Sequence, residues 1–271
     1  MKMTWDHVEE FDRKMLTDFH SMGSWAHQYT ATALYKQMQA VPNDSDIEAG
    51  DKPRIQGVLR AKILGEVAAS METLGRFCWA LATRSTGGFS AAFINMSKNR
   101  ANNFYSQVQA LASVDADAVL TILKFPVFAD LAPLKPESEL REFLDPLSDL
   151  LDRIADAYMD NGGSNPIETR KLANTYNAIK HGSHIVANPI MLSDPLTGAF
   201  DRQSITVIRR WPELNEDIND TTMVFVQRGL KQQSVTEDVQ LTRTIATILS
   251  NLCQLSVLLI DNGLFYSSTS P

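Results

Sequence analysis

The chain has 271 residues, 44% of them hydrophobic and 21% charged, so it can bury a sizeable core and has the composition of neither a disordered nor a membrane-embedded protein. Its formal net charge of -7 builds in no long-range attraction to nucleic-acid phosphates or anionic lipid, so any nucleic-acid contact needs a local basic cleft. Two cysteines, Cys78 and Cys253, are too few for a thiolate metal knuckle or a disulfide framework and read as buried thiols.

The N-terminal stretch runs into Glu9, Glu10 and Asp12 and offers no apolar core of the kind a secretory signal needs. The most apolar run, Leu255 to Ile260, contains a serine and is far shorter than the roughly 20 residues that span a bilayer. A soluble, cytoplasmic protein with no membrane partner is the expectation.

From Trp5 onward apolar residues recur at Trp5, Val8, Phe11, Met15, Phe19, Met22, Ala26, Tyr29 and Ala33, the three-then-four spacing of a helix face. This predicts one long first helix, roughly Thr4 to Ala40, with its Met and aromatic residues in the core. Pro42, Asn43 to Asp46 and Gly50 to Pro53 then supply turn formers without apolar periodicity, which is a loop. A second helix follows from about Arg54 to Ala82, burying Ile55, Val58, Leu59, Ile63, Val67, Leu74, Phe77 and Leu81. After a turn at Thr86-Gly87-Gly88 a third helix is expected over Ser90 to Ala112, and a short one over Asp115 to Lys124, capped by Asp115 or Ser113.

Pro126, Pro133 and Pro136 punctuate a connector, and Pro136 with Glu137 and Glu139 suits the first turn of another helix. Leu140, Phe143, Leu147, Leu150, Leu151, Ile154 and Tyr158 continue it, with Pro146 as a kink or as its true start. Asn161 to Asn165 end it, and Pro166 opens a further helix that stops at Gly182. Beyond Gly182 short β-branched runs at Ile185-Val186, Ser204 to Ile208 and Thr222 to Val226 predict a small antiparallel sheet. A last helix is expected over about Val235 to Asp261. The fold class is therefore mainly α, a single helical domain over 1–271 with a β-containing insertion over 183–230 before the C-terminal helix.

The chemistry-bearing stretch is Tyr176 to Gly182, where Lys180 and His181 sit in the last helical turn before glycine. A plain helix ending accounts for this, since cations favour helix C-termini and glycine adopts the positive φ that follows. On a helical wheel, however, Arg170, Asn174, Asn177 and His181 fall within roughly 60° of one another. Asparagine is a poor helix former, so a stripe with two of them aligned with Arg and His points to a face that meets something polar.

Asn177-Ala178-Ile179-Lys180-His181, late in a helical bundle, resembles the HEPN superfamily (higher eukaryote and prokaryote nucleotide-binding). The resemblance implies a small helical bundle, usually dimeric, and in many members a metal-independent ribonuclease of a toxin or phage-defence system. That family's motif is an arginine followed four to six residues later by histidine. Here the nearest upstream arginine, Arg170, precedes His181 by eleven residues, about 16 Å at 1.5 Å per residue. Only Asn177 and His181 carry over, with Lys180 as a substitute positive charge. On this reading His181 is the general acid or base with Asn177 beside it. Arg170, Asn174 and Lys180 hold an RNA or nucleotide ligand, and Lys171, Arg209 and Arg210 add positive charge.

No cofactor or metal is expected. His20 and His27 are two helical turns apart, about 10 Å, and neither Glu-x-x-His nor His-x-x-x-His occurs. Phosphate-binding glycine loops and the nucleophile elbow are missing as well. The second class left open is a non-catalytic helical protein that works through protein contacts, with the first and last helices as a homo-oligomer surface.

Overall fold

The computed structural model of the chain describes residues 4–95, 98–111, 114–158, 185–188, 204–210, 223–228 and 235–266, with the backbone alone in 98–103, 153–158 and the three strand segments. These residues are mainly helical, as the apolar periodicity predicts. The helices are α1 (Trp5–Ser21), α2 (Ala26–Ala40), α3 (Lys52–Thr83), α4 (Phe89–Ile94), α5 (Lys98–Gln109), α6 (Ala116–Ile122), α7 (Phe128–Leu131), α8 (Glu137–Tyr158) and α9 (Val235–Asp261).

The first expected helix is two helices. Met22 leaves helical geometry (φ -134°, ψ -50°), Gly23–Trp25 form one 3₁₀ turn, and α2 begins at Ala26. Gly23 is required there, because a Cβ on it would lie 2.5 Å from Phe19 Cδ2. Ser24 Oγ donates to the His20 carbonyl at 3.0 Å, satisfying an acceptor that the break would strand.

The third expected helix is likewise two. Asn95 closes α4 with φ -93° and ψ 14°, and its amide donates to the Ala91 carbonyl at 2.9 Å. Side-chain amides compete with backbone pairing in this way, which periodicity alone does not register. In the following turn Asp115 is the cap of α6, its Oδ1 accepting from Ala118 N at 2.8 Å. Pro136 precedes α8, and Pro146 lies within that helix rather than at its start.

The chain divides into two compact units. The first comprises the described residues of Met1–His27, Ser70–Gly162 and Arg243–Pro271. Its core holds Leu74, Phe77, Leu81, Phe89, Leu140, Leu147, Leu151, Leu252 and Leu259, all buried. Phe77 and Phe89 pack at 4.8 Å between ring centroids, with Phe93 and Phe19 adjoining them. The second unit comprises the described residues of Gln28–Ala69 and Gly163–Thr242. Ala31, Leu59, Ile63, Leu64 and Val67 are buried there, and Tyr35 and Thr236 share a hydrogen bond of 3.0 Å. Also in this unit, β1 (Ile185–Asn188), β2 (Ser204–Arg210) and β3 (Met223–Arg228) have strand backbone in the order β1-β2-β3. Both pairs are antiparallel, Ile185 opposite Val207 and Ile208 opposite Phe225.

Candidate functional site

The apolar stripe of α1 is where the structure departs furthest from the sequence reading. Trp5 is 53% exposed, Phe11 54% and Met22 77%, and Tyr29 on α2 is exposed as well, so these residues are not core. What α1 buries is Asp12, 1% exposed, and Leu16. At about 100° per residue, Phe11 and Met15 lie roughly 100° round from the line through Asp12 and Leu16, so the helix docks on one edge of the stripe and leaves the other edge outside.

Asp12 is tolerated because donors surround it. Its Oδ2 accepts from Phe89 N at 2.6 Å and its Oδ1 from Ser90 N at 2.9 Å, so a side chain 77 residues upstream caps α4. The Tyr266 hydroxyl donates to the same Oδ2. Burial first, and then that hydrogen bond, push the Tyr266 phenol well above its usual range, so it remains the donor. The turn before α4 makes room for this approach. Gly88 has φ +96°, and a Cβ there would lie 2.6 Å from Val8 Cγ1 and 3.1 Å from Asp12 Oδ2.

Nearby, Arg84 is fully buried and donates to four backbone carbonyls at 2.5–2.6 Å: Leu81, Leu123, Lys124 and Phe265. Leu81 lies in the last turn of α3, Leu123 and Lys124 end α6, and Phe265 follows α9. The C-terminal ends of α3 and α6, each carrying partial negative charge, and the turn that follows α9 thus converge on one guanidinium. The rings of Phe265 and Phe125 lie 4.6 and 5.3 Å from its Cζ. Burial lowers the Arg84 pKa to about 10, with the Tyr266 phenol opposing the shift, so the cation persists at neutral pH.

Two concave features border this framework. A groove of about 360 Å³ on α1 is lined by Phe11, Lys14, Met15, Asp18, Phe19 and Gly23. A cleft of about 600 Å³ is lined by Trp79, Phe104, Ile122, Gly87, Gly88 and Ala92 among others, with Lys124 as the only charged residue among the described lining residues.

The predicted site residues, Arg170, Asn174, Asn177, Lys180 and His181, lie outside the described residues. Of the described histidines, His20 joins Ser250 Oγ at 2.8 Å and Gln254 Nε2 at 3.2 Å, and His27 contacts Thr73 Oγ1 at 3.3 Å. Among the described residues no cluster of three His, Cys, Asp or Glu could hold a metal ion. Cys78 and Cys253 are both buried, which pushes their thiols up and keeps them protonated. Helix α9 is long and apolar enough by composition to cross a bilayer, while 56% of its most apolar window is buried within the fold.

No family model, curated protein or solved structure matches this chain. Sequence reasoning missed Asp12, Arg84 and Tyr266. The visible signals were a carboxylate inside an apolar stripe and the Gly87-Gly88 pair, but the partners that give them meaning are up to 254 residues apart in sequence.

Proposed function

We propose that this protein works through protein contacts, as a helical protein that self-associates through the outer edge of α1. The observation that carries this reading is the exposed apolar edge itself, Phe11 and Met22 with the groove between Phe11, Met15 and Phe19. Exposed large apolar residues grouped on one helix edge mark association surfaces more often than scattered single ones do. A second copy is the occupant that the flanking charges favour. Lys14 and Asp18 edge the groove 2.6 Å apart, and antiparallel pairing of two α1 helices about a twofold axis sets each Lys14 beside the other copy's Asp18. On this reading the protein is cytoplasmic, α9 is a core helix, and 183–230 is a β-containing insertion into a helical fold.

The test is the solution mass of the full chain against concentration. A dimer is expected for the native chain and a monomer for Phe11→Lys/Met22→Lys, with thermal unfolding of that monomer otherwise unaltered. A native chain that stays monomeric, or a double variant that still dimerises, removes the proposal.

A second reading is RNA- or nucleotide-directed and HEPN-like, supported by the sequence stripe of Arg170, Asn174, Asn177 and His181 with Lys180 nearby. It requires that the protein cut or retain RNA without added metal and that His181→Ala abolish this without lowering thermal stability. Loss of stability with no effect on RNA assigns His181 to a helix ending instead.

A further inference from the structure

Resting on self-association through the outer edge of α1, we infer that Met22 is the oxidation-sensitive residue of that edge: a hydroperoxide converts its thioether to the sulfoxide, and the oxidised chain no longer pairs.

The described sulfur atoms differ sharply in access. Cys78 and Cys253 are buried and stay protonated, and a buried thiol reacts slowly with peroxides because the thiolate is the nucleophile. A thioether needs no deprotonation, so exposure orders the methionines. Among the described ones Met71 is buried, Met15 and Met38 are half-buried, and Met22 is 77% exposed. Met22 therefore reacts first. Its sulfur lone pair attacks the terminal oxygen of the hydroperoxide, the S–O bond forms as the O–O bond breaks, and the leaving oxygen takes up the proton as water or an alcohol. Sulfur is oxidised by the electron pair it gives up, and the peroxide is reduced by the same pair.

The position of Met22 connects this chemistry to pairing. Met22 follows α1 directly, beside Gly23, which lines the α1 groove. At about 100° per residue it lies roughly 20° round the helix from Phe11, on the same outer edge. Antiparallel pairing that sets each Lys14 beside the other copy's Asp18 is centred midway between those two residues. Phe11 stands five residues before that midpoint and Met22 six after it, so each Phe11 comes within about 1.5 Å along the axis of the level of the other copy's Met22. A soft thioether suits an aromatic ring there. The sulfoxide oxygen is a hydrogen-bond acceptor that must shed water to enter the same contact, where the Phe11 ring offers no N–H or O–H donor. Oxidation thus favours the free copy. Pairing in turn covers Met22, so the free copy is the form that reacts.

The test treats the full chain with hydrogen peroxide, follows each methionine by peptide mass spectrometry, and measures solution mass against concentration. In dilute protein Met22 is expected to gain oxygen at least about fivefold faster than Met15, Met38 or Met71. Raising the concentration through the dimer transition slows Met22 and leaves Met38 unaltered. The chain oxidised at Met22 pairs with a Kd at least about tenfold higher, and methionine sulfoxide reductases of both stereospecificities with a dithiol restore the native Kd. Met22→Leu has no sulfur at this position, so peroxide does not change whatever Kd that variant has. A native chain that is monomeric at every concentration, before any peroxide, removes the self-association reading and the Met22 inference together. The inference alone is overturned by a native dimer in which another described methionine reacts as fast as Met22, by an oxidised chain that pairs with the native Kd, or by a Met22→Leu chain that peroxide dissociates as readily as the native one.

Discussion

The two edges of α1 reverse the usual arrangement, with the Asp12 carboxylate inside and the Phe11 ring outside. The inner edge meets Phe89, Ser90 and Tyr266 through hydrogen bonds that Asp12 accepts, Asp261 through one that Arg13 donates, and Ser250 and Gln254 through the His20 ring. The outer edge, with Phe11 half exposed, meets its surroundings through apolar surface. The contrast teaches that apolar periodicity locates a stripe on a helix without fixing which edge is covered. A buried polar residue holds its place when the fold supplies donors for it, and a large apolar residue can remain outside because folding leaves much apolar surface exposed.

The sharpest way to break this comparison is to remove the inner carboxylate. Asp12→Ala leaves two buried N–H groups and the Tyr266 hydroxyl without their acceptor, and each such group costs about 1–3 kcal/mol. A loss of roughly 3 kcal/mol or more in denaturant unfolding is expected. Tyr266→Phe, which removes one donor and leaves the α4 cap in place, loses about 1 kcal/mol. If Asp12→Ala is nearly neutral, the donors find other partners and the inner edge is not what anchors the helix.

Gly88→Ala tests the same contact from the other side, with a smaller effect. Its φ of +96° is strained for any L side chain, and the new methyl would meet Val8 Cγ1 and Asp12 Oδ2 at 2.6 and 3.1 Å. A cost of about 1–3 kcal/mol is expected, with α1 as the element that shifts. Gly87→Ala is the control, since its Cβ meets nothing within 4 Å and only its φ of +152° opposes the change.

A second buried carboxylate shows what burial does when desolvation outweighs the nearby charge. Asp238, 3% exposed in the first turn of α9, is raised from 3.8 to about 6 by burial, against the opposing charge of Arg60. A raised carboxyl means that the folded protein holds this proton more tightly than the unfolded chain does. Its contribution to stability is present below about pH 4 and is lost as pH rises towards about 6. Unfolding free energy measured across that window should therefore fall more for the native chain than for Asp238→Asn. Parallel curves for the two proteins would show that Asp238 titrates normally in the fold.

Much of the helical framework was legible in the sequence, for identifiable reasons. Helices α3, α8 and α9 match their expected spans within about two residues, because long apolar periodicity with a proline or acidic start is a redundant signal. The first and third expected helices were merged from two each. Gly23 and Asn95 break them through a tight approach to Phe19 and a local amide hydrogen bond, neither of which disturbs the period. The Asp12 and Arg84 contacts were illegible because, the Tyr266 hydroxyl apart, their partners are backbone groups brought together by the fold, and a backbone N–H or carbonyl has no residue type. The stripe from Arg170 to His181 lies outside the described residues, so it stands as a sequence reading.

The smallest expected effect is on the outer edge. Phe11 is 54% exposed, so replacing it by glutamine gives up only part of a buried side chain's contribution and creates no cavity. Under dilute conditions, where association is absent, Phe11→Gln should shift unfolding by no more than about 0.5 kcal/mol. Leu16→Ala, five residues on and fully buried, should cost about 2–5 kcal/mol in the same measurement. If the two differ as stated at low concentration, and Phe11→Gln becomes destabilising only as concentration rises, the outer edge is covered by a second copy. A Phe11 effect comparable to that of Leu16 at every concentration would instead mean that the outer edge belongs to the core of the single chain, and the comparison of the two edges would fail.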